Sequence, residues 1–254
     1  MVGCAVLAAQ AALRCGTGLL TLGFPKSLYL TYTRRLTEAM FLPLAETKEG
    51  SLAKKSVSEI LKFLTTQDVV ALGPGLSRNK DTQEVIRETV KKSDCPMVID
   101  ADALFPFTGH SETLKKIRKP FILTPHAGEF KRLFGMDGGE SLSARKNAAQ
   151  KAVRICGGVV VLKGHQTVVA DTTRNIYVNT TGDPGLAKGG SGDVLLGMIA
   201  SFLAQGLQAF DAACLGVYLH GLAADLAIRK IPPAALLPTD LLDHISLAMK
   251  QLNR

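Results

Sequence analysis

The sequence contains no tryptophan, and aromatic residues make up only 6% of its 254 residues. Proteins that bind single strands of nucleic acid stack bases on aromatic side chains within a basic groove. The net charge of +8 would suit such a partner, but the basic residues are scattered as Lys-Lys or Arg-Arg pairs and form no stripe. We therefore expect no nucleic-acid partner, and an anionic small molecule fits the charge better.

Cysteine is scarce and forms no pattern. The five cysteines are odd in number, widely spaced and never arranged as C-x-x-C: Cys4, Cys15, Cys95, Cys156 and Cys214. This pattern suggests neither a disulfide framework nor a zinc site. A reducing, cytoplasmic location is expected.

A membrane-spanning run is also missing. Residues 2–13 are apolar, but no basic segment precedes them and Arg14 follows too soon for a span, so we expect a buried helix and no membrane partner. With 46% hydrophobic and 20% charged residues, the chain is long enough for one substantial core. We predict a single domain over residues 1–254.

Neither G-x-x-x-x-G-K-[ST] nor a G-x-G-x-x-G after a strand occurs, yet glycine is concentrated in Asn179–Gly197. This segment, N-T-T-G-D-P-G-L-A-K-G-G-S-G-D-V-L-L-G, opens into an apolar stretch with helical spacing. Glycines before a helix expose unpaired N–H groups at the positive end of its dipole. The segment predicts an anion cradle, and the alternative is a flexible loop before an ordinary helix start.

Asp193 stands out within this segment. A carboxylate beside a phosphate site is unfavourable unless a metal, a cation or a proton-transfer role accounts for it. Asp193 is therefore the leading catalytic candidate. We expect the helix dipole to keep its carboxylate ionised.

Apolar strands alternate with helices through the middle of the chain. Strands are predicted at 19–24, 40–44, 68–72, 96–100, 121–124 and 159–162, helices at 6–13, 27–39, 57–64, 81–92, 111–118, 129–134, 143–156, 192–205, 211–229 and 239–252, and a hairpin at 167–179. This pattern favours an α/β fold, a three-layer sandwich with a mostly parallel central sheet between helices.

Polar and glycine-rich motifs follow four of these strands, at 73–76, 100–102, 124–129 and 163–167. Ligands of open α/β sheets bind at such carboxyl ends. Taken singly the motifs are ambiguous: Asp100 and Asp102 suit a metal, a substrate or a helix cap, and Lys163 suits a phosphate or solvent. His126 with Glu129 suits a ligand pair or the surface. In a later helix, Tyr218 and His220 suit the core.

Five motifs in this order resemble the ADP-dependent NAD(P)H-hydrate dehydratases, a branch of the ribokinase-like fold: V-A-L-G-P-G-L, V-I-D-A-D-A-L, L-T-P-H-A-G-E-F, V-L-K-G-H-Q-T and G-L-A-K-G-G-S-G-D-V-L-L-G. The resemblance covers essentially the whole chain. It implies repair of the S form of hydrated NADH or NADPH: a nucleotide phosphorylates the added hydroxyl group, and loss of phosphate restores the dinucleotide. It also implies ADP as the co-substrate, with ATP as the alternative, release of AMP and phosphate, and Mg²⁺ dependence.

The same resemblance implies a role for each matching residue. Asp193 would be the base and a substrate contact. The nucleotide would be held by Lys163, Gly164, His165, Gln166, Thr167, Gly189, Gly190 and Gly192, and the hydrate by Cys4, Gly75, His126 and Glu129. No metal ligand is assigned. A homo-oligomer, a tetramer in the family, and fusion to or partnership with the NAD(P)H-hydrate epimerase are further expectations.

The chain departs from the family's pattern at three places. Relatives carry a first strand and a Gly-Gly-Ser segment ahead of the position where this sequence starts. A truncated form, the tail of a bifunctional polypeptide and a late start are the three explanations. Cys4 stands where the family has Ala, and Phe105 where it usually has Asn.

Two other functions share some of these features. A vitamin-alcohol kinase of the same superfamily has similar glycine and aspartate motifs, although P-H-x-G-E and K-G-x-x-T favour the dehydratase. A nucleotide-binding module without turnover is the alternative from a different class.

Overall fold

A computed structural model describes residues 2–252; residues 1, 253 and 254 of the predicted domain lie outside the described residues. The helices are α1 (Val2–Arg14), α2 (Tyr29–Thr33), α3 (Val57–Leu64), α4 (Lys80–Lys92), α5 (Ala127–Phe134), α6 (Leu142–Cys156), α7 (Ser191–Ala204), α8 (Ala209–Ala227) and α9 (Pro238–Leu252). The strands are β1 (Thr21–Pro25), β2 (Met40–Leu44), β3 (Val70–Leu72), β4 (Met97–Ile99), β5 (Phe121–Leu123), β6 (Val159–Leu162), β7 (Val168–Ala170) and β8 (Ile176–Val178).

Six strands form the central sheet, in the order β3-β4-β5-β6-β7-β8. The pairs from β3 to β6 are parallel, and the hairpin of β7 and β8 continues the sheet in antiparallel pairing. β1 and β2 form a separate parallel pair. The predicted mostly parallel sheet and the predicted hairpin are confirmed.

Two apolar layers cover the sheet, because alternate residues of a strand point to opposite faces. Val98 and Ile122 pack with α7, α8 and α9 on one face. Met97 and Leu123 pack with α4, α5 and α6 on the other. Strands buried on both faces explain the nearly uniform apolar runs in the sequence.

Two helix predictions were wrong in type or extent. The helix predicted over 27–39 is a short 3₁₀ turn followed by α2, which ends after one turn. The hydroxyl group of Thr33 donates to the carbonyl groups of Tyr29 and Leu30, and such bonds compete with helix propagation. The helix predicted over 111–118 is a 3₁₀ helix, Ser111–Lys116, and Pro120 disfavours helical backbone at the residue before it.

Helix geometry also bears on membrane binding. Within residues 2–252, no helix combines the length and the apolar character needed to cross a bilayer.

Candidate active site

The cradle lies where the glycine-rich segment turns into α7. Gly190 has φ +104°, a conformation that favours glycine, and α7 begins at the next residue. The backbone N–H groups of Gly189, Gly190 and Gly192 donate to no acceptor within residues 2–252. Three such donors at the positive end of a helix form a site for an anion.

The upstream glycines of this segment serve the fold. The N–H of Gly182 donates to both carboxylate oxygens of Asp225, at 3.1 and 3.0 Å, and the N–H of Gly185 donates to Asp183 Oδ1 at 2.7 Å. The glycines of this segment whose N–H groups are not engaged are therefore Gly189, Gly190 and Gly192.

An ion pair lies against this cradle. Lys163 Nζ, at the end of β6, is 2.7 Å from Oδ1 of Asp100, which follows β4 and is 2% exposed. A Cβ atom added at Gly192 would lie 3.3 Å from Lys163 Nζ and 3.8 Å from Asp100 Oδ2. The ends of two strands and the start of α7 thus meet at one place, as the strand-end motifs predicted.

Asp193 lies at the same place and has a strongly shifted pKa. Burial and, to a lesser degree, the charge of Asp100 raise its pKa to about 6, although Lys163 acts in the opposite direction. The helix dipole favours the ionised form, but desolvation and the like charge of Asp100 act against it and raise the pKa. A carboxyl group with this pKa is still mostly ionised at neutral pH and is a stronger base than an ordinary aspartate, as general-base catalysis requires.

His126 and Glu129 form the N-terminal cap of α5. His126 Nδ1 accepts from the N–H groups of Gly128 (3.0 Å) and Glu129 (3.3 Å), and Glu129 Oε2 accepts from the N–H of His126 (2.9 Å). Glu129 Oε1 lies 3.4 Å from His126 Nε2, and the histidine side chain is half exposed. His126 also pairs with Lys163 through a parallel bridge, so the predicted hydrate and nucleotide motifs are neighbours.

The K-G-H-Q-T motif is an exposed turn closed on itself. Thr167 Oγ1 donates to the carbonyl oxygen of Gly164 at 2.8 Å and accepts from its N–H at 3.3 Å. Gly164 and Gln166 have φ values of +146° and +51°, and His165 is exposed between them. Positive φ at a non-glycine residue such as Gln166 costs free energy, and such strain clusters at active sites and ligand clamps.

Arg145, on the first turn of α6, supports this turn from below and was missed by the sequence analysis. Its Nη2 donates to the carbonyl oxygen of Leu162 at 3.0 Å, and its Nε is buried without a hydrogen-bond partner. Burial lowers the pKa of the guanidinium group, and no carboxylate of residues 2–252 forms a salt bridge with it. The sequence signal for Arg145 was its place on the helix before β6, the strand that is followed by the Gly164 turn.

The G-P-G and D-A-D motifs pack against each other. A Cβ atom at Gly73 would lie 2.2 Å from the carbonyl oxygen of Asp100, so only glycine fits there, and Gly75 follows with φ +72°. Asp102 Oδ2 accepts from the N–H of Ser77 at 3.0 Å, which ties the turn after β3 to the end of β4. No group of three or more His, Cys, Asp or Glu suited to a metal occurs in residues 2–252.

Two buried residues border the cradle from other helices. Cys4 on α1 is 5% exposed; burial raises the pKa of its thiol, and the charge of Asp193 adds to the shift, which places the two groups near each other. His220 on α8 lies with Nε2 2.9 Å from the carbonyl oxygen of Ser191, and burial lowers its pKa to about 4. Neutral His220 therefore holds the first residue of α7, beyond the core role that the sequence suggested.

Comparisons with known proteins agree with the family resemblance of the sequence motifs. The family model for NAD(P)H-hydrate dehydratase matches residues 1–247. The chain is 39% identical over 252 residues to the bifunctional NAD(P)H-hydrate repair enzyme Nnr of Moorella thermoacetica, covering 99% of this chain and 48% of that protein. It is 40% identical over 232 residues to the ADP-dependent (S)-NAD(P)H-hydrate dehydratase of Neisseria meningitidis serogroup B, covering 89% of this chain and 73% of that protein.

Solved structures agree on the fold. The ADP/ATP-dependent NAD(P)H-hydrate dehydratase of Bacillus subtilis, co-crystallised with ATP and Mg²⁺ and soaked with CoA, is 32% identical. It superposes with a TM-score of 0.81 over 99% of this chain and 87% of that one. Ribokinase-like proteins share the architecture, as predicted.

The chain spans about half the length of several curated relatives that it matches, each of them a bifunctional repair enzyme. The family model nevertheless covers nearly every residue of the chain, and its sequence motifs meet in the structure at one edge of the sheet. The chain belongs to the NAD(P)H-hydrate dehydratase family.

Proposed function

We propose that this chain dehydrates the S form of hydrated NADH and NADPH, with ADP as phosphoryl donor and AMP and phosphate as products. One observation carries the proposal: Asp193, with a pKa near 6, stands on the first turn of α7 beside three unengaged backbone N–H groups. A base next to an anion cradle is the arrangement that phosphoryl transfer to a hydroxyl group needs.

In the first step, Asp193 takes the proton of the hydrate's hydroxyl group. The freed oxygen forms a bond to the β-phosphorus of ADP, and the bond from that phosphorus to AMP breaks, with the electron pair leaving on AMP. The N–H groups of residues 189–192 stabilise the transferring charge. Lys163 lies beside them to balance negative charge, and Arg145 holds the turn that would carry the nucleotide.

In the second step, the carbon–oxygen bond of the phosphorylated hydrate breaks, and phosphate departs with the electron pair. A proton leaves the neighbouring ring carbon, so the double bond of the reduced nicotinamide ring is restored. Gly75, His126, Glu129 and Cys4 would surround the hydrate, since their motifs lie at the edge that also carries Asp193.

A magnesium ion fits this donor set. Mg²⁺ is usually held by one or two carboxylates together with substrate phosphates, and Asp100 is the carboxylate next to the cradle that takes no part in the proton transfer. When bound, the ion would neutralise phosphate charge.

Two proposals concern assembly and location. Exposed apolar side chains near β1 and β2 support a homo-oligomer; they are Leu19, Leu30 and Met40. We propose that this oligomer is a tetramer. The bifunctional names of several relatives support an epimerase partner or fusion. We also propose that the protein acts in the cytoplasm, as a single domain; the described cysteines form no disulfide.

The proposed function is tested by following absorbance of the reduced ring when hydrated NADPH is mixed with protein, Mg²⁺ and ADP. Recovery of absorbance with one AMP released per dinucleotide is expected. Phosphorylation of a small alcohol without recovery would identify a kinase instead. Tight ADP binding without either reaction would identify a binding module.

A further inference from the structure

A surface pocket beside the cap of α5 includes Glu129, but its other lining residues have no role in the steps described above. It lies at the ends of β3, β4 and β5 and is lined by Arg78, Asp102, Phe105, Glu129 and Arg132 among others. The predicted nucleotide turn follows β6, the next strand in the sheet. The pocket therefore lies at the same end of the sheet, on the side away from the donor nucleotide. A long ligand whose reacting end lies at Asp193 would reach it along this edge.

The pocket lining carries two arginines and two carboxylates, and they do not pair with each other. Arg78 lies with Cζ 4.6 Å from the centroid of the Phe105 ring. Neither Arg78 nor Arg132 forms a salt bridge with a carboxylate of residues 2–252. The two carboxylates of the lining are engaged elsewhere, Asp102 with the N–H of Ser77 and Glu129 with the N–H of His126. Two guanidinium groups thus remain for an external anion.

Phe105 prepares Arg78 for such an anion. Stacking uses the flat face of a guanidinium group and leaves its N–H donors free in the plane, where they can bind a phosphate with two parallel hydrogen bonds. Positive φ occurs at Ser77 (+83°), next to Arg78, and at Ala101 (+49°), which also lines the pocket. Such strain persists only where surrounding contacts enforce it, and it gathers at functional sites.

We propose that this pocket is the subsite for the phosphate-bearing half of the dinucleotide hydrate that is remote from the reacting ring. Arg78 is its phosphate ligand, Arg132 adds positive charge, and Phe105 is a positioning residue that holds Arg78. The proposal rests on the proposed function and extends it, because it states how the enzyme distinguishes a dinucleotide from a mononucleotide.

The test is equilibrium binding of NADPH, NADH and reduced nicotinamide mononucleotide, followed by the fluorescence of the reduced ring, with ADP binding measured by calorimetry. Wild type should bind both dinucleotides more tightly than the mononucleotide. Arg78→Gln should weaken dinucleotide binding about tenfold, the loss expected for one charge-assisted hydrogen-bonding group, and leave the mononucleotide and ADP unchanged. Arg132→Gln should act in the same direction.

Three variants make the comparison specific. Phe105→Leu should weaken dinucleotide binding a few fold, since a stacked cation at an exposed site contributes modestly, and Phe105→Tyr should restore it because the ring face returns. Arg118→Gln is the matched control: Arg118 is also an exposed arginine, but it precedes β5 and so lies at the opposite edge of the sheet. It should bind like wild type.

Several results would overturn the subsite. These are wild-type affinity in folded Arg78→Gln and Arg132→Gln, equal losses for dinucleotide and mononucleotide, a loss of ADP affinity instead, and failure of wild type to bind NADPH more tightly than the mononucleotide. The proposed function fails separately. A protein that binds NADPH through Arg78 but restores no hydrate with ADP would keep the subsite and contradict the dehydratase.

Discussion

The ammonium group of Lys163 lies 2.7 Å from the buried carboxylate of Asp100, and both groups contact the position that a side chain on Gly192 would occupy. This pair joins the ends of β4 and β6 to the start of α7. It also sets the electrostatic environment of Asp193, because Asp100 raises the pKa of that carboxyl group and Lys163 lowers it. Five predictions follow from this site and its neighbours.

Replacement of the proposed base should abolish most turnover. Asp193→Asn keeps size and polarity but cannot accept the hydroxyl proton, so kcat should fall by about two orders of magnitude or more, the range for a positioned general base. ADP affinity should be kept or slightly improved, since a negative charge beside phosphate is lost. Asp211→Asn, a change on the first turn of α8, is the control and should be fully active. Near wild-type kcat in folded Asp193→Asn would show that Asp193 is only a helix-start residue.

The pH profile of kcat/KM should show an acid limb near pH 6 that reports Asp193. The base is active when deprotonated, so a lower pKa moves this limb to lower pH. Asp100→Asn removes the like charge and should move it down, whereas Lys163→Gln removes the opposing cation and should move it up. Shifts in the same direction for both variants would show that the ion pair does not control this ionisation.

The same ionisation should cost stability. The pKa of Asp193 is raised in the folded state, so its contribution to stability is present below about pH 4 and is lost as pH rises through about 6. Asp193→Asn should therefore raise the free energy of unfolding at pH 7 by about 1–2 kcal/mol, after allowance for partial solvent screening, and by much less near pH 4. Urea denaturation at both pH values measures this difference. A gain of equal size at both would exclude ionisation as its cause.

His126 is predicted to serve the hydrate. His126→Ala should raise the KM for hydrate and leave ADP binding nearly unchanged, although it also removes the cap of α5 at a cost of about 1 kcal/mol. His126→Asn is the matched variant, because an Asn side chain can still cap the helix while the imidazole is lost. Both should show the raised KM, and only the alanine variant the lower stability. Equal loss of affinity for hydrate and ADP in calorimetry would contradict the assignment.

ADP is predicted to be the preferred phosphoryl donor, because A-K-G-G-S-G-D resembles the bacterial form of the motif. Steady-state rates with ADP and with ATP at saturating hydrate decide the question. A tenfold preference for ATP, equivalent to about 1.4 kcal/mol in the barrier, would contradict it.

Local sequence determined the sheet and the helices that pack on it. Strands such as β4 and β6 are apolar at every position and are followed by turn residues, so their location and burial could be read without the structure. Asp193 became the catalytic candidate through its position after a glycine cluster. The predictions that were wrong concern α2 and residues 111–118, which lack such patterns. Side-chain hydrogen bonds or a nearby proline determine the helix type and length there.

Tertiary structure decided which residues that are far apart in the sequence come into contact. The Lys163–Asp100 pair joins residues 63 positions apart, and the carboxylate of Asp100 changes the pKa of Asp193 across a still longer stretch of chain. A Cβ atom at Gly197 would lie 2.0 Å from the carbonyl oxygen of Ala8, so that glycine serves the crossing of α1 and α7. Local propensity fixes which segments become strands and helices, but charge, burial and close contact depend on distances in space that only the packed chain defines.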